Sequence, residues 1–116
     1  MVYAGYKTRW LGGIIVSKVY AYCRVAFKSD EEMAQQCKMI EDCCEENGMH
    51  VDEYFCDNGV SGLRCDRMAL QKMLKVLQDG DIVIVKDIAR LSREMIQCMN
   101  IVNSIYQAGA LIKFIN

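Results

Sequence analysis

Ile82 to Val85 are four consecutive apolar residues, set between a Gly80-Asp81 turn signal and the charged pair Lys86-Asp87. A run with no polar side predicts a strand covered on both faces, the kind found in the interior of a parallel sheet beneath helices. Ser17 to Ala26 (SKVYAYCRVA) is β-branched and aromatic enough for a first strand. Alternation would place Tyr22, Arg24 and Ala26 on one of its faces and Cys23 and Val25 on the other.

Ser29-Asp30-Glu31-Glu32 has the form of a capping box, with Ser29 as N-cap and Glu32 at the third helical position. Met33, Cys37, Ile40 and Cys44 follow as an apolar stripe on a polar helix that Asn47-Gly48 ends. Val51 to Cys56 predicts a second strand, and Asp57 to Cys65 is rich enough in turn formers for a loop. Asp66 is expected to cap a second helix with Leu70, Met73, Leu74 and Leu77 as its buried edge and Gly80 as its end. After the apolar run a third helix is expected from about Leu91, capped by Ser92. It carries Met95, Met99, Val102 and Tyr106, is widened by Cys98, Ile101 and Ile105, and stops at Gly109. Ala110 to Ile115 makes a last strand, while residues 1–16 show no period and read as an irregular leader or a short added strand. The order βαβ, loop, αβαβ predicts a three-layer α/β fold, a mainly parallel β-sheet flanked by helices.

A chain of 116 residues holds one domain with its own core. Its apolar runs fall short of the roughly 20 residues that cross a bilayer. The first of them is broken by Gly12-Gly13 and lacks a small-residue cleavage site, so a cytoplasmic protein is expected. Cys23, Cys37, Cys43, Cys44, Cys56, Cys65 and Cys98 are an odd set without a C-x-x-C pair and read as reduced, small apolar residues. With His50 the only histidine and Cys43-Cys44 adjacent, no metal site is expected. The net charge is −1, but the charges are sorted: Lys7, Arg9, Lys18, Arg24 and Lys28 precede Ser29, and nearly all those from Asp30 to Asp57 are acidic. Such sorting fits two differently used faces or a solvated acidic helix. A stand-alone DNA-binding domain would be more basic. Neither a G-x-G-x-x-G after the first strand nor a G-K-[ST] occurs, which excludes the common dinucleotide and P-loop sites.

The candidate chemistry lies where strands end. Arg24 leaves the first strand, Arg67 follows the Gly-rich loop, and Lys86, Arg90 and Arg93 follow the buried run. Strand ends in a parallel sheet share one rim, the usual ligand position in open α/β sheets. Four guanidiniums there would make a clamp for a phosphodiester. Equally, each could pair with Asp57, Asp66, Asp81 or Asp87 in a structural network; spacing alone allows both.

Tyr22-Cys23-Arg24-Val25-Ala26, Gln35, Asp57 with Ser61-Gly62, Asp66-Arg67, Gly80 to Lys86 and Arg90-Leu91-Ser92-Arg93 together resemble the catalytic domain of the serine recombinases, the resolvases and DNA invertases. The resemblance covers about residues 17–116, in the family's order and near its spacing. It implies a site-specific recombinase that cuts and rejoins DNA. A serine two residues after the first-strand arginine attacks the phosphodiester, leaving a 5′-phosphoserine and a free 3′-hydroxyl, with no cofactor, metal or ATP. It further implies that Arg24, Arg67, Arg90 and Arg93 hold the phosphate and stabilise its transition state, with Asp57 an acidic neighbour.

Two positions depart from the family pattern. Ala26 stands at the nucleophile position, and a methyl group cannot attack phosphorus. Ala89 stands where an aspartate usually precedes the second arginine cluster. The resemblance therefore predicts a recombinase domain inactive as written, or alternatively a non-catalytic module that pairs with or regulates an active recombinase. Family members continue into a dimerisation helix and a separate DNA-binding domain, beyond the span resembled here. Weak DNA binding by this domain alone, and a homo-oligomer or a pairing with another recombinase, are the partner expectations, with no membrane.

Overall fold

The computed structural model describes residues 9–11, 14–61 and 67–116. Two short strands, β1 (Arg9–Leu11) and β2 (Ile14–Val16), pair antiparallel in a small sheet of their own, so part of the expected leader is regular. The main sheet comprises β3 (Val19–Val25), β4 (Glu53–Asn58), β5 (Ile82–Val85) and β6 (Leu111–Phe114), all parallel, in the order β4-β3-β5-β6. The two inner strands, β3 and β5, are buried at every position, as a strand with helices over both faces must be.

Helix α1 (Asp30–Glu46) covers one face and α2 (Met68–Val76), the single turn α3 (Ile88–Leu91) and α4 (Met95–Gln107) lie on the other. The alternation of β3 divides the core accordingly. Val19, Ala21, Cys23 and Val25 pack with Met33, Ile40 and Cys44 of α1. Tyr20 and Tyr22 pack with Phe55 and with Leu70, Met73, Leu91, Cys98, Ile101 and Ile105. The expected three-layer α/β arrangement is therefore present, with a sheet that is parallel throughout its four strands.

Several local expectations change. The Ser29 hydroxyl does accept from the Glu32 N–H at 3.1 Å, but the Ser29 N–H is taken by the Asn58 side chain at 2.9 Å rather than by Glu32. Cys37 is only half-buried; Gln36 occupies the core side of α1 in its place. Strand β4 runs two residues further than expected because its pairing with β3 continues to Val25 and Asn58, which puts Asp57 in the sheet opposite Arg24. Arg67 is the N-cap residue of α2, and the expected Asp66 cap lies outside the described residues. That helix ends at Val76, before Gly80. The third expected helix is broken into α3 and α4 because the Ser92 hydroxyl accepts from Glu94 N–H, while the Glu94 carboxylate caps α4 at Ile96 and Gln97 N–H.

At the rim opposite the strand ends, Gly80 (φ +89°) and Gly109 (φ +84°) hold adjacent turns together, with Gly80 N–H donating to Gly109 C=O at 3.0 Å. A Cβ on Gly109 would lie 2.9 Å from Asp79 Cα, so glycine is required there for both conformation and space.

Candidate functional site

The C-terminal ends of β3, β4 and β5 gather the predicted residues, and most of what they touch is main chain. Arg24 is 1% exposed and donates through Nε to the Arg90 carbonyl at 3.1 Å, through one terminal nitrogen to Val60 C=O at 3.0 Å, and through the other to Ala89 C=O at 2.6 Å. Arg67 is fully buried. It donates to the Arg90 carbonyl at 3.0 Å, to the Leu91 carbonyl and, at 3.5 Å, to the Tyr22 hydroxyl, with its guanidinium 5.8 Å from the centre of the Tyr22 ring. The two guanidiniums thus share one carbonyl, that of Arg90, and hold the α3 turn against the sheet.

Each arginine has five N–H donors; among the described residues three on Arg24 and three on Arg67 are engaged, and Arg67 Nε is buried without a partner. Among the described residues neither guanidinium has a carboxylate within ion-pair distance. Burial lowers the Arg24 pKa, and the like charges of Arg67, then Arg90 and Arg93, lower it further. Among the described residues this buried positive charge is met by carbonyl dipoles rather than by contacting carboxylates.

Asp57 is a buried carboxylate on the strand beside Arg24, and its hydrogen bonds are structural. It accepts from the Tyr22 hydroxyl at 2.7 Å and from the Ala69 and Leu70 N–H groups at 2.9 and 3.1 Å, so it caps α2 from a neighbouring strand. Burial pushes the Tyr22 phenol pKa up, the charge of Arg67 pulls against that, and the hydrogen bond to Asp57 pushes it up again, so the phenol stays a donor. Asp81 is taken by the Gln78 N–H at 2.8 Å. Arg90 has a loose contact with Asp87, 3.6 Å from Nε to a carboxylate oxygen. The arginine–carboxylate network that spacing allowed is reduced, among the described residues, to this one pair.

A pocket of about 220 Å³ opens beside the cluster, with Arg24, Arg90 and Lys86 as its cations, Gln35 and Gln36 as its amides and Glu32 as its one carboxylate. Ala26 is half-buried, one residue beyond Val25, which also lines this pocket. Arg93 is exposed and lines a separate apolar hollow with Ile88, Met95 and Met99, although its charge still acts on Arg24. Ala89 contributes its carbonyl to Arg24, which does not depend on the side chain it carries.

Gln36 is a site residue that the apolar pattern concealed. Its side chain accepts from Arg24 N–H at 3.0 Å and donates to Arg24 C=O at 3.1 Å, fixing the main chain that carries the arginine. The available signal was an amide at the i+3 position between Met33 and Ile40, on the core side of an amphipathic helix.

A parallel sheet with helices on both faces and arginines gathered at its strand ends, one of the two buried ones lining a cationic pocket, defines the class of α/β domain to which the chain is compared. Residues 19–116 match the family model "Resolvase, N terminal domain", and the chain belongs to that family, as a resolvase-type serine recombinase catalytic domain. It is 43% identical over 56 residues to a resolvase of Clostridium perfringens, covering 48% of this chain and 30% of that protein. It is 24% identical over 99 residues to the transposon Tn3 resolvase of Escherichia coli, covering 85% of this chain and 50% of that one. The chain therefore spans half or less of the length of these relatives. Among solved structures it resembles the N-terminal catalytic domain of TP901-1 integrase, with a TM-score of 0.78 at 24% identity, covering 85% of this chain and 78% of that domain.

Proposed function

We propose that residues 17–116 form the phosphate-binding catalytic module of a site-specific DNA recombinase in which the covalent step is missing. In this reading Arg24, Arg67, Arg90 and Arg93 hold and polarise a DNA phosphodiester, Asp57 keeps Tyr22 and α2 in place beside them, and Ala26 stands where a hydroxyl would attack. The observation that carries the reading is the pair of buried guanidiniums, without contacting carboxylates among the described residues, beside a pocket lined by Arg24, Lys86, Arg90 and Val25, the residue before Ala26 in the chain. Loss of a nucleophile costs roughly 10⁴ to 10⁶ in rate in serine proteases. Here it also removes the bond that would conserve energy for rejoining. A role on DNA puts the protein in the cytoplasm; among the described residues no helix is long and apolar enough to cross a membrane.

The test is incubation with a supercoiled plasmid carrying the crossover site of its own locus, followed by denaturing electrophoresis. The expected result is no protein–DNA adduct from the chain as it stands and a 5′-linked adduct from Ala26→Ser. An adduct from the unaltered chain overturns the reading, and so does an Ala26→Ser protein that binds the site and leaves it uncut.

A second reading, a module that pairs with an active recombinase or with its own copy, is favoured by the apolar surface of α3 and α4. Ile88, Met95 and Met99 are 59%, 77% and 63% exposed and flank two hollows of about 280 and 330 Å³. Exposed apolar area of this kind marks association surfaces. A clean monomer by light scattering at high concentration counts against self-pairing.

A further inference from the structure

On the α1 side of the sheet, behind the arginines, three thiols converge from three elements. Cys23 of β3 and Cys56 of β4 lie opposite each other in register, and Cys37 of α1 sits above them. Cys37 Sγ is 3.7 Å from Cys23 Sγ and 3.9 Å from Cys56 Sγ, and all three sulfurs lie within 4.8 Å of one another. These residues are 14 and 19 apart in sequence, so no motif announces them. A disulfide would bring two sulfurs to about 2.05 Å. Thiolates around a tetrahedral zinc at about 2.3 Å stand roughly 3.8 Å apart, since a tetrahedron's edge is about 1.6 times its centre-to-corner distance. Two of the three sulfur separations lie within about 0.2 Å of that edge, and the third is under 4.8 Å.

We propose that Cys23, Cys37 and Cys56 form a structural three-thiolate site for one thiophilic d¹⁰ cation, zinc(II) or copper(I). Soft sulfur ligands select these two ions among those available to a cell. Cys23 is buried, Cys37 half-buried and Cys56 exposed, so the cluster is anchored in the core and has one solvent-facing edge through which an ion enters and a fourth ligand reaches it. A bound cation favours deprotonation of the thiols that hold it. Glu41 and Asp57, whose charges act on Cys37 and Cys56 respectively, add negative potential for a cation. The ion would tie β3, β4 and α1 together one residue before Arg24 and Asp57, stiffening the sheet edge that carries the cluster without touching the chemistry.

The experiment uses the full chain, reduced and metal-free, with a thiol-free reductant. Cobalt(II) titration followed by thiolate charge-transfer absorption reports the ligand set. Zinc(II) and copper(I), each competed against a chromophoric chelator, distinguish the two ions. One equivalent of one ion per chain is expected, with a rise in Tm. Cys56→Ser should weaken binding by about 100-fold or more and abolish the Tm rise. Cys37→Ala should do the same, and Cys43→Ser, elsewhere on α1, should change neither. Cys23→Ser, at a buried position, is avoided as the deciding variant. Absence of a saturable thiolate band and of a stoichiometric equivalent of either ion overturns the proposal. Equal loss in Cys43→Ser does so as well.

Discussion

Asp57→Asn is the change that tests whether the site and the fold share one residue. The carboxylate accepts three hydrogen bonds, from Tyr22 and from the first turn of α2. An asparagine keeps one acceptor oxygen. If that oxygen serves Tyr22 and Leu70, as one carboxylate oxygen does now, the amide NH₂ faces the Ala69 N–H and leaves a buried donor unpaired, which costs about 1–3 kcal/mol. Loss of charge assistance on the two remaining bonds adds about 1 kcal/mol, and loss of the anion at the helix N-terminus about 0.5 kcal/mol. The total is about 3 kcal/mol out of the 5–15 typical of a domain. With a urea slope of about 2 kcal/mol/M, the unfolding midpoint followed by circular dichroism should fall by about 1.5 M. Tyr22→Phe removes one donor and leaves the helix cap intact, so its fall should be about 0.5 M, near 1 kcal/mol. An Asp57→Asn midpoint within about 0.3 M of the parent, which is about 0.6 kcal/mol at that slope, would refute the assignment of Asp57 as the shared anchor.

Gln36→Ala should destabilise by about 1–3 kcal/mol, because the Arg24 N–H and C=O it satisfies are buried; chemical denaturation measures it. Gly109→Ala should cost more than about 1 kcal/mol, since it combines a positive φ with a backbone clash, and thermal melting reads it directly. Sulfate or inorganic phosphate should raise Tm above chloride at equal ionic strength, and Arg90→Gln should reduce that difference. In metal-free protein, alkylation near pH 8 followed by peptide mass mapping should mark Cys56, whose pKa is lowered to about 7, well before Cys37 and Cys44, both raised to about 11.

Signals that are local in sequence were legible. The run Ile82 to Val85 had no polar side and is buried throughout, and Ser29 caps α1 as its neighbours implied. What escaped was tertiary. A carboxylate on the α2 N-terminus comes from Asp57, on a strand more than ten residues upstream, where local rules do not look. The second half of the expected capping box comes from Asn58 across the chain. The break between α3 and α4 turns on a hydroxyl at Ser92 that serves equally well as a cap or as a kink. The arginines were readable as a set, but their partners were not. Carbonyl groups are carried by every residue, so sequence cannot say which of them a guanidinium will choose.

Those carbonyl partners have a corollary for substitution. Arg24 and Arg67 fasten the 89–91 segment by its backbone, so the side chain at position 89 can change without removing these bonds, whereas Arg90 lines the pocket and Leu91 packs in the core. Alanine at position 89 leaves Arg24 seated, because the contact asks only for a carbonyl and the path of the chain that carries it.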